Sequence, residues 1–138
     1  MPRIGLIMIL LLPVAAIAAP DFSRDVLPIL SDTCFKCHGP DANARKAKLR
    51  LDLKEGALRT KDAVIVPGKS TESELISRIL SNDPDELMPP PDSNLKLTVE
   101  QKATLKAWVD AGAKWSKHWA YESLKPVSVP KVKLTNWP

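Results

Sequence analysis

The chain has 138 residues, with 20 Lys or Arg against 16 Asp or Glu and a formal net charge of +4. That length suits one small domain with additions at its ends. So slight a positive excess, with no aromatic and basic residues interleaved, excludes a nucleic-acid-binding surface as the main reading.

The first residues read as a leader. Met1 to Arg3 is weakly basic, Ile4 to Leu12 is an unbroken apolar run interrupted by Pro13, and Ala16-Ile17-Ala18 places small residues where a signal peptidase cuts. A signal peptide over 1–18 is expected, since cutting after Ala19 would put Pro20 beside the scissile bond. The competing reading, an uncleaved anchor, is opposed by a run shorter than the ~20 residues a span needs. The expected product is exported and periplasmic, with no stable membrane anchor and, without a cysteine at the cleavage point, no lipid. Losing Arg3 leaves 19 basic against 16 acidic residues.

Phe22 to Asp32 carries Phe22, Val26, Ile29 and Leu30 at helical spacing with Pro28 inside, so a helix that restarts or bends at Pro28 and runs into Cys34 is expected. There follows Cys34-Phe35-Lys36-Cys37-His38-Gly39-Pro40. Two cysteines three apart with histidine directly behind the second form the attachment signature of a c-type haem. On one helical turn both thiols point the same way and can form thioethers with the two vinyl groups on one porphyrin edge. His38 is then placed to offer an imidazole nitrogen to the iron. Other uses of a Cys-x-x-Cys pair fit less well. A thioredoxin-like couple lacks its βαβ surroundings. Half a zinc site lacks a second ligand pair, with His118 a poor fourth ligand, and a disulfide closing so short a loop constrains little. Covalent haem attachment takes place outside the cytoplasm, in agreement with the leader. A buried porphyrin would also supply apolar surface that so short a chain lacks.

Arg45, Lys46, Lys48 and Arg50 make a basic cluster close in sequence to the haem motif. It reads as a solvated face or as side chains that pair with a propionate or help dock a partner. Leu49, Leu51 and Leu53 alternate with charged residues, a strand pattern. Ala63-Val64-Ile65-Val66, ended by Pro67-Gly68, is a second short apolar run. A small hairpin inserted in a helical domain is the expectation. Thr71 and Glu74 form a capping box for a helix that presents Leu75, Ile76, Ile79 and Leu80 and ends near Asn82 to Pro84. Asp83, Asp85 and Glu86 lack calcium-loop spacing and read as solvated.

Leu87-Met88-Pro89-Pro90-Pro91 is the second candidate site. Met1 and Met8 leave with the leader, so Met88 is the sole methionine of the mature chain. A thioether is a common second axial ligand of a cytochrome haem and raises its potential, and the prolines would stiffen the loop that presents it. Met88 as a core gap-filler is the plainer alternative; beside Cys-x-x-Cys-His, ligation is preferred, with His118 as the other candidate. Thr98 and Gln101 repeat the capping-box pattern ahead of Ala103, Leu105, Trp108, Val109 and Ala111, a helix that Gly112 can close. Trp108 is expected in the core against the first helix or the haem. Beyond Trp115, His118 and Trp119, residues 121–138 contain Pro126, Pro130 and Pro138 and read as an extended linker. Residues 19–120 would then be the domain.

The segments CFKCHGPDA, RKAKLRLD, VPGKSTESEL, LMPPP, LTVEQKATLKAWVDAGAKW and HWAY, in this order, resemble the planctomycete-type cytochrome c domain. The resemblance implies a small, mainly all-α, class I-like cytochrome c fold around one covalent haem c held by Cys34 and Cys37, with His38 and Met88 as axial ligands. It also implies that the domain is followed, past a proline-containing linker, by larger domains of an exported protein. Since no further acid, base or nucleophile constellation is visible, the chain alone is expected to transfer electrons to a redox partner that the sequence does not specify, rather than to act as an enzyme. Two alternatives stand beside this: an open iron site that binds peroxide or a small gas, and a haem-stapled module of a larger hydrolase-like protein.

Overall fold

The computed structural model of the chain describes residues 18–58 and 63–116. The expected leader up to residue 17, His118, Trp119 and the expected linker lie outside the described residues.

The first helical stretch opens at Asp21, whose carboxylate accepts from the Arg24 N–H (2.9 Å), while the Asp21 N–H donates to Asp25 (2.8 Å). A π-helical turn, Phe22–Val26, continues into α1 (Leu27–Thr33) with Pro28 in the first turn of α1, where a missing N–H breaks no intrahelical bond. The restart at Pro28 is therefore observed. Phe22, Val26, Ile29 and Leu30 are all buried, the single apolar stripe that their spacing requires. Cys34 caps α1, and one further turn, α2 (Phe35–His38), follows at once. The remaining helices are α3 (Lys54–Ala57), α4 (Glu74–Leu80) and α5 (Val99–Asp110), with short 3₁₀ turns at Ser70–Glu72 and Pro91–Ser93.

Helix α5 begins with the expected capping box. The Gln101 N–H donates to the Thr98 hydroxyl (3.2 Å) and the Thr98 N–H to the Gln101 side-chain oxygen (2.8 Å), so two otherwise orphaned donors are satisfied. It ends at Gly112 with φ +97°. Only that left-handed turn lets Gly112 N–H reach the Val109 carbonyl and Ala113 N–H reach the Trp108 carbonyl, both at 2.9 Å. Leu105, Trp108 and Val109 are buried. Trp108 meets Phe22 and Trp115 with ring centroids 5.7 Å away in each case, Phe22 and Trp115 lie 4.3 Å apart, and the Trp108 indole N–H donates to the Lys114 carbonyl (3.0 Å). This aromatic cluster closes the N-terminal stretch onto α5, which also packs on α4.

Two expectations are corrected. No strand occurs among the described residues, so the hairpin of 49–53 with 63–66 does not form. Leu51 is 2% exposed and Leu53 43%, although an alternating strand would place both on one face. The backbone groups of the two segments pair with helical residues instead of with each other: Leu51 N–H donates to the His38 carbonyl (2.8 Å), Ile65 N–H to Ala57 (3.1 Å) and Leu75 N–H to Val64 (2.9 Å). The second correction concerns α4, whose N-cap is Ser73 rather than Thr71. Asp110 accepts from the Ser70 N–H (3.0 Å) and draws Ser70 to Glu72 into a separate 3₁₀ turn that takes up Thr71. The buried Ser73 hydroxyl accepts from Val66 N–H (2.9 Å) and donates to the Lys69 carbonyl (2.8 Å). Leu75, Ile76 and Ile79 are buried as expected, but Leu80 is half exposed. The remaining acidic residues of the following loop, Asp83, Asp85 and Glu86, are exposed, as read.

Candidate cofactor site

The Cys-x-x-Cys-His segment takes the helical turn that its chemistry needs. Cys37 N–H (3.1 Å) and His38 N–H (2.8 Å) both donate to the Cys34 carbonyl, and both cysteines are free thiols. Gly39 follows because no other residue fits there: an added Cβ would lie 2.2 Å from the Phe35 carbonyl oxygen. Thr33 Oγ1 donates to the Ile29 carbonyl (2.6 Å) and lies 3.5 Å from Cys34 Sγ. Burial pushes the Cys34 thiol above its ordinary pKa, against the lowering effect of the Thr33 contact.

A segment seven residues downstream holds this turn. Lys46 N–H donates to the Cys37 carbonyl (2.8 Å) and Leu51 N–H to the His38 carbonyl (2.8 Å). The Arg45 guanidinium donates through Nε to the Gly39 carbonyl (2.9 Å) and through Nη2 to that of Pro40 (2.7 Å). Four successive carbonyls thus accept from residues 45–51. Within the same segment Arg50 pairs with Asp52 through a guanidinium–carboxylate fork, which, with a smaller effect of the Arg45 charge, holds Asp52 below the usual carboxylate range.

The turn opens on a cavity of about 630 Å³ lined by Cys34, Cys37, His38 and Met88 together. Its walls are mainly apolar, with Leu51, Val64, Leu75 and Ile79 among them, and charged groups enter from Lys36, Lys46, Glu74, Arg78 and Asp92. The volume is within the range of ligand and cofactor sites. His38 Nδ1 is buried without a hydrogen-bond partner. Burial lowers the imidazole pKa, opposed by a polar contact with the Lys46 backbone that favours the protonated ring; the net direction favours the neutral form that binds a metal. Met88 reaches the cavity from a loop whose anchor is its own N–H, donated to the Arg78 carbonyl at the end of α4 (3.1 Å). A second cavity of about 300 Å³ shares Met88, Pro89 and Leu95 with the first.

The four residues singled out in the sequence therefore converge, although Met88 is fifty residues from His38. Of the basic cluster, Lys46 lines the cavity, Lys48 is exposed, and Arg45 and Arg50 are used in hydrogen bonds. Sequence reasoning missed the clamping role of Arg45 and the contribution of Leu51, Val64 and Leu75 to the cavity. The alternation of Leu51 with charged residues did mark a half-buried segment; its partner was a helical turn rather than a strand.

An apolar cavity bearing two thiols on one helical turn, a neutral imidazole with a buried unpartnered nitrogen, and a thioether fits a porphyrin and the ligands of its iron, the donor set of a c-type cytochrome. Residues 34–92 match the family model for planctomycete cytochrome C. The match begins at Cys34 and ends at Asp92, so it takes in both walls of the cavity and stops before α5. No curated protein and no solved structure matches the chain.

Proposed function

We propose that the chain is an exported c-type cytochrome domain that carries one covalent haem and passes electrons to and from a partner protein. The observation that carries this reading is the convergence of Cys34, Cys37, His38 and Met88 on one apolar cavity within the segment that matches the cytochrome family. Cys34 and Cys37 would bind the porphyrin through their sulfurs, and His38 and Met88 would ligate its iron. A haem so held supplies one-electron chemistry, with a potential raised by thioether ligation and by burial. The chain's own contribution is to hold the imidazole neutral, to keep the walls apolar and to present the thioether. Packing of the N-terminal helical stretch on α5 through Phe22 and Trp108 supports a class I-like cytochrome fold. Export is supported by the leader pattern of residues 1–18, and no helix among the described residues is long and apolar enough to cross a membrane.

Expression with a c-type maturation system, followed by mass measurement under denaturing conditions and a haemochrome spectrum, tests the proposal. A haem mass that survives denaturation in the unmutated chain and disappears in the Cys34→Ser/Cys37→Ser double variant is expected. Haem extracted by acid from the unmutated chain would refute covalent attachment.

A further inference from the structure

A histidine that binds a metal is normally oriented by a hydrogen bond from its other ring nitrogen to a carbonyl, carboxylate or water. His38 Nδ1 makes no well-formed hydrogen bond, and the ring has only a polar contact with the Lys46 backbone. The His38 backbone, by contrast, is fully engaged, with its carbonyl taken by Leu51 N–H and the preceding one by Lys46 N–H. The two following carbonyls, of Gly39 and Pro40, are both taken by one side chain, the Arg45 guanidinium. Together with the helical bond from His38 N–H to the Cys34 carbonyl, these four bonds restrain the direction in which the imidazole leaves the chain. Two depend on a fork that only arginine carries, since its Nε and Nη2 lie in one rigid plane and can serve neighbouring acceptors at once. Arg45 also fixes the position of Lys46, whose backbone lies beside the imidazole.

We propose that Arg45 is a positioning residue for His38: its bidentate hold on the Gly39 and Pro40 carbonyls fixes the turn that aims the imidazole into the cavity. The proposal rests on His38 being the iron ligand of the function proposed above. The role belongs to the guanidinium's hydrogen bonds and not to its charge, because Lys48, three residues on, carries the same charge without one of these bonds.

The test uses the full chain matured with haem, in the unmutated form and as Arg45→Ala, Arg45→Lys and Lys48→Ala. In Arg45→Ala the haem mass stays, because the cysteines are untouched. The Lys46 and Leu51 amides exchange with solvent about tenfold faster, and the reduction midpoint and the visible spectrum shift from those of the unmutated protein. Lys48→Ala leaves exchange, midpoint and spectrum unchanged. Arg45→Lys, which keeps the charge and a single donor group, falls between and replaces Arg45→Ala in the comparison should the latter not accumulate. Unchanged exchange and midpoint at position 45 would overturn the proposal, as would a Lys48→Ala shift equal to that of Arg45→Ala. If the unmutated chain carries no covalent haem, the function proposed above fails, and the exchange rates of the haem-free chain still decide whether Arg45 clamps the turn.

Discussion

His38 and Met88 line the same cavity, but the chain holds them by different means. Around His38, four successive carbonyls are bonded to a segment that begins seven residues downstream, so the backbone is fixed at several points. Around Met88, the backbone bond that ties the residue to the rest of the fold is the one from its own N–H to Arg78, and the three prolines after it limit the chain's freedom without adding a donor. Met88 also borders a second cavity, so its side chain has space on more than one side. The difference separates a Cys-x-x-Cys-His wall that is locked in place from a Met88 loop that is stiffened but lightly bonded. If both residues ligate a haem iron as proposed, an incoming small ligand would on these grounds displace the thioether and not the imidazole, and the open-iron alternative reduces to the question of how firmly Met88 is held.

The comparison can be broken or sharpened through variants that load one region and spare the other. The largest effect on stability is expected from Trp108→Ala, which empties the aromatic cluster. A loss of about 3–5 kcal/mol in denaturant unfolding should leave the visible spectrum of the folded, haem-loaded fraction unchanged, since Trp108 lines neither the Cys-x-x-Cys-His wall nor the Met88 loop. A spectrum that changed would mean that the two regions are not independent of the core beneath them. Next comes Ser73→Ala. The buried hydroxyl ties Val66 and Lys69 to the start of α4, the helix whose end holds Met88. Its removal should cost about 1–3 kcal/mol and speed amide exchange at Met88 more than at Lys46. Equal acceleration at both amides would erase the distinction between the two regions.

The smallest effect concerns Asp110, which accepts from Lys106 and from the Ser70 N–H. Those bonds lower its carboxyl pKa to about 2. A carboxyl depressed in the folded state contributes stability above its ordinary pKa and loses it as pH falls through the folded value. The melting-temperature gap between the unmutated chain and Asp110→Asn should therefore be full at pH 7 and close between about pH 4 and pH 2. A gap that stayed constant across that window would mean that the carboxylate's ionised form is not what stabilises the α4 entrance.

Much of the site was legible because its chemistry is local. Cys34, Cys37 and His38 declare themselves by spacing, and Met88 stood out once the methionines of the expected leader were set aside. Helix α5 was readable from end to end, because Thr98, Gln101 and Gly112 each form the cap that their residue type suggests. The segments between helices were not readable in the same way. Leu49, Leu51 and Leu53 carry a strand's alternation, but a strand exists only when a partner accepts its ladder, and here the nearest acceptor was the carbonyl of His38. Thr71 has a sound capping pattern, yet Asp110, forty residues away from Ser70, captured the turn first. Arg45 could not be distinguished from Lys46 and Lys48 as a charge in a basic run. Its role depends on where the turn after Pro40 returns the chain, which no local pattern records.

The claim that Met88 completes a site begun by His38 is tested most directly by the absorption of the oxidised, haem-loaded chain in the region of the sulfur-to-iron charge-transfer band. The band should be present in the unmutated protein and absent in Met88→Ala, with the covalent haem mass retained and the reduction potential lowered. An unmutated protein that lacked the band and bound carbon monoxide or cyanide rapidly would contradict the account, leaving Met88 as a wall residue beside an open iron.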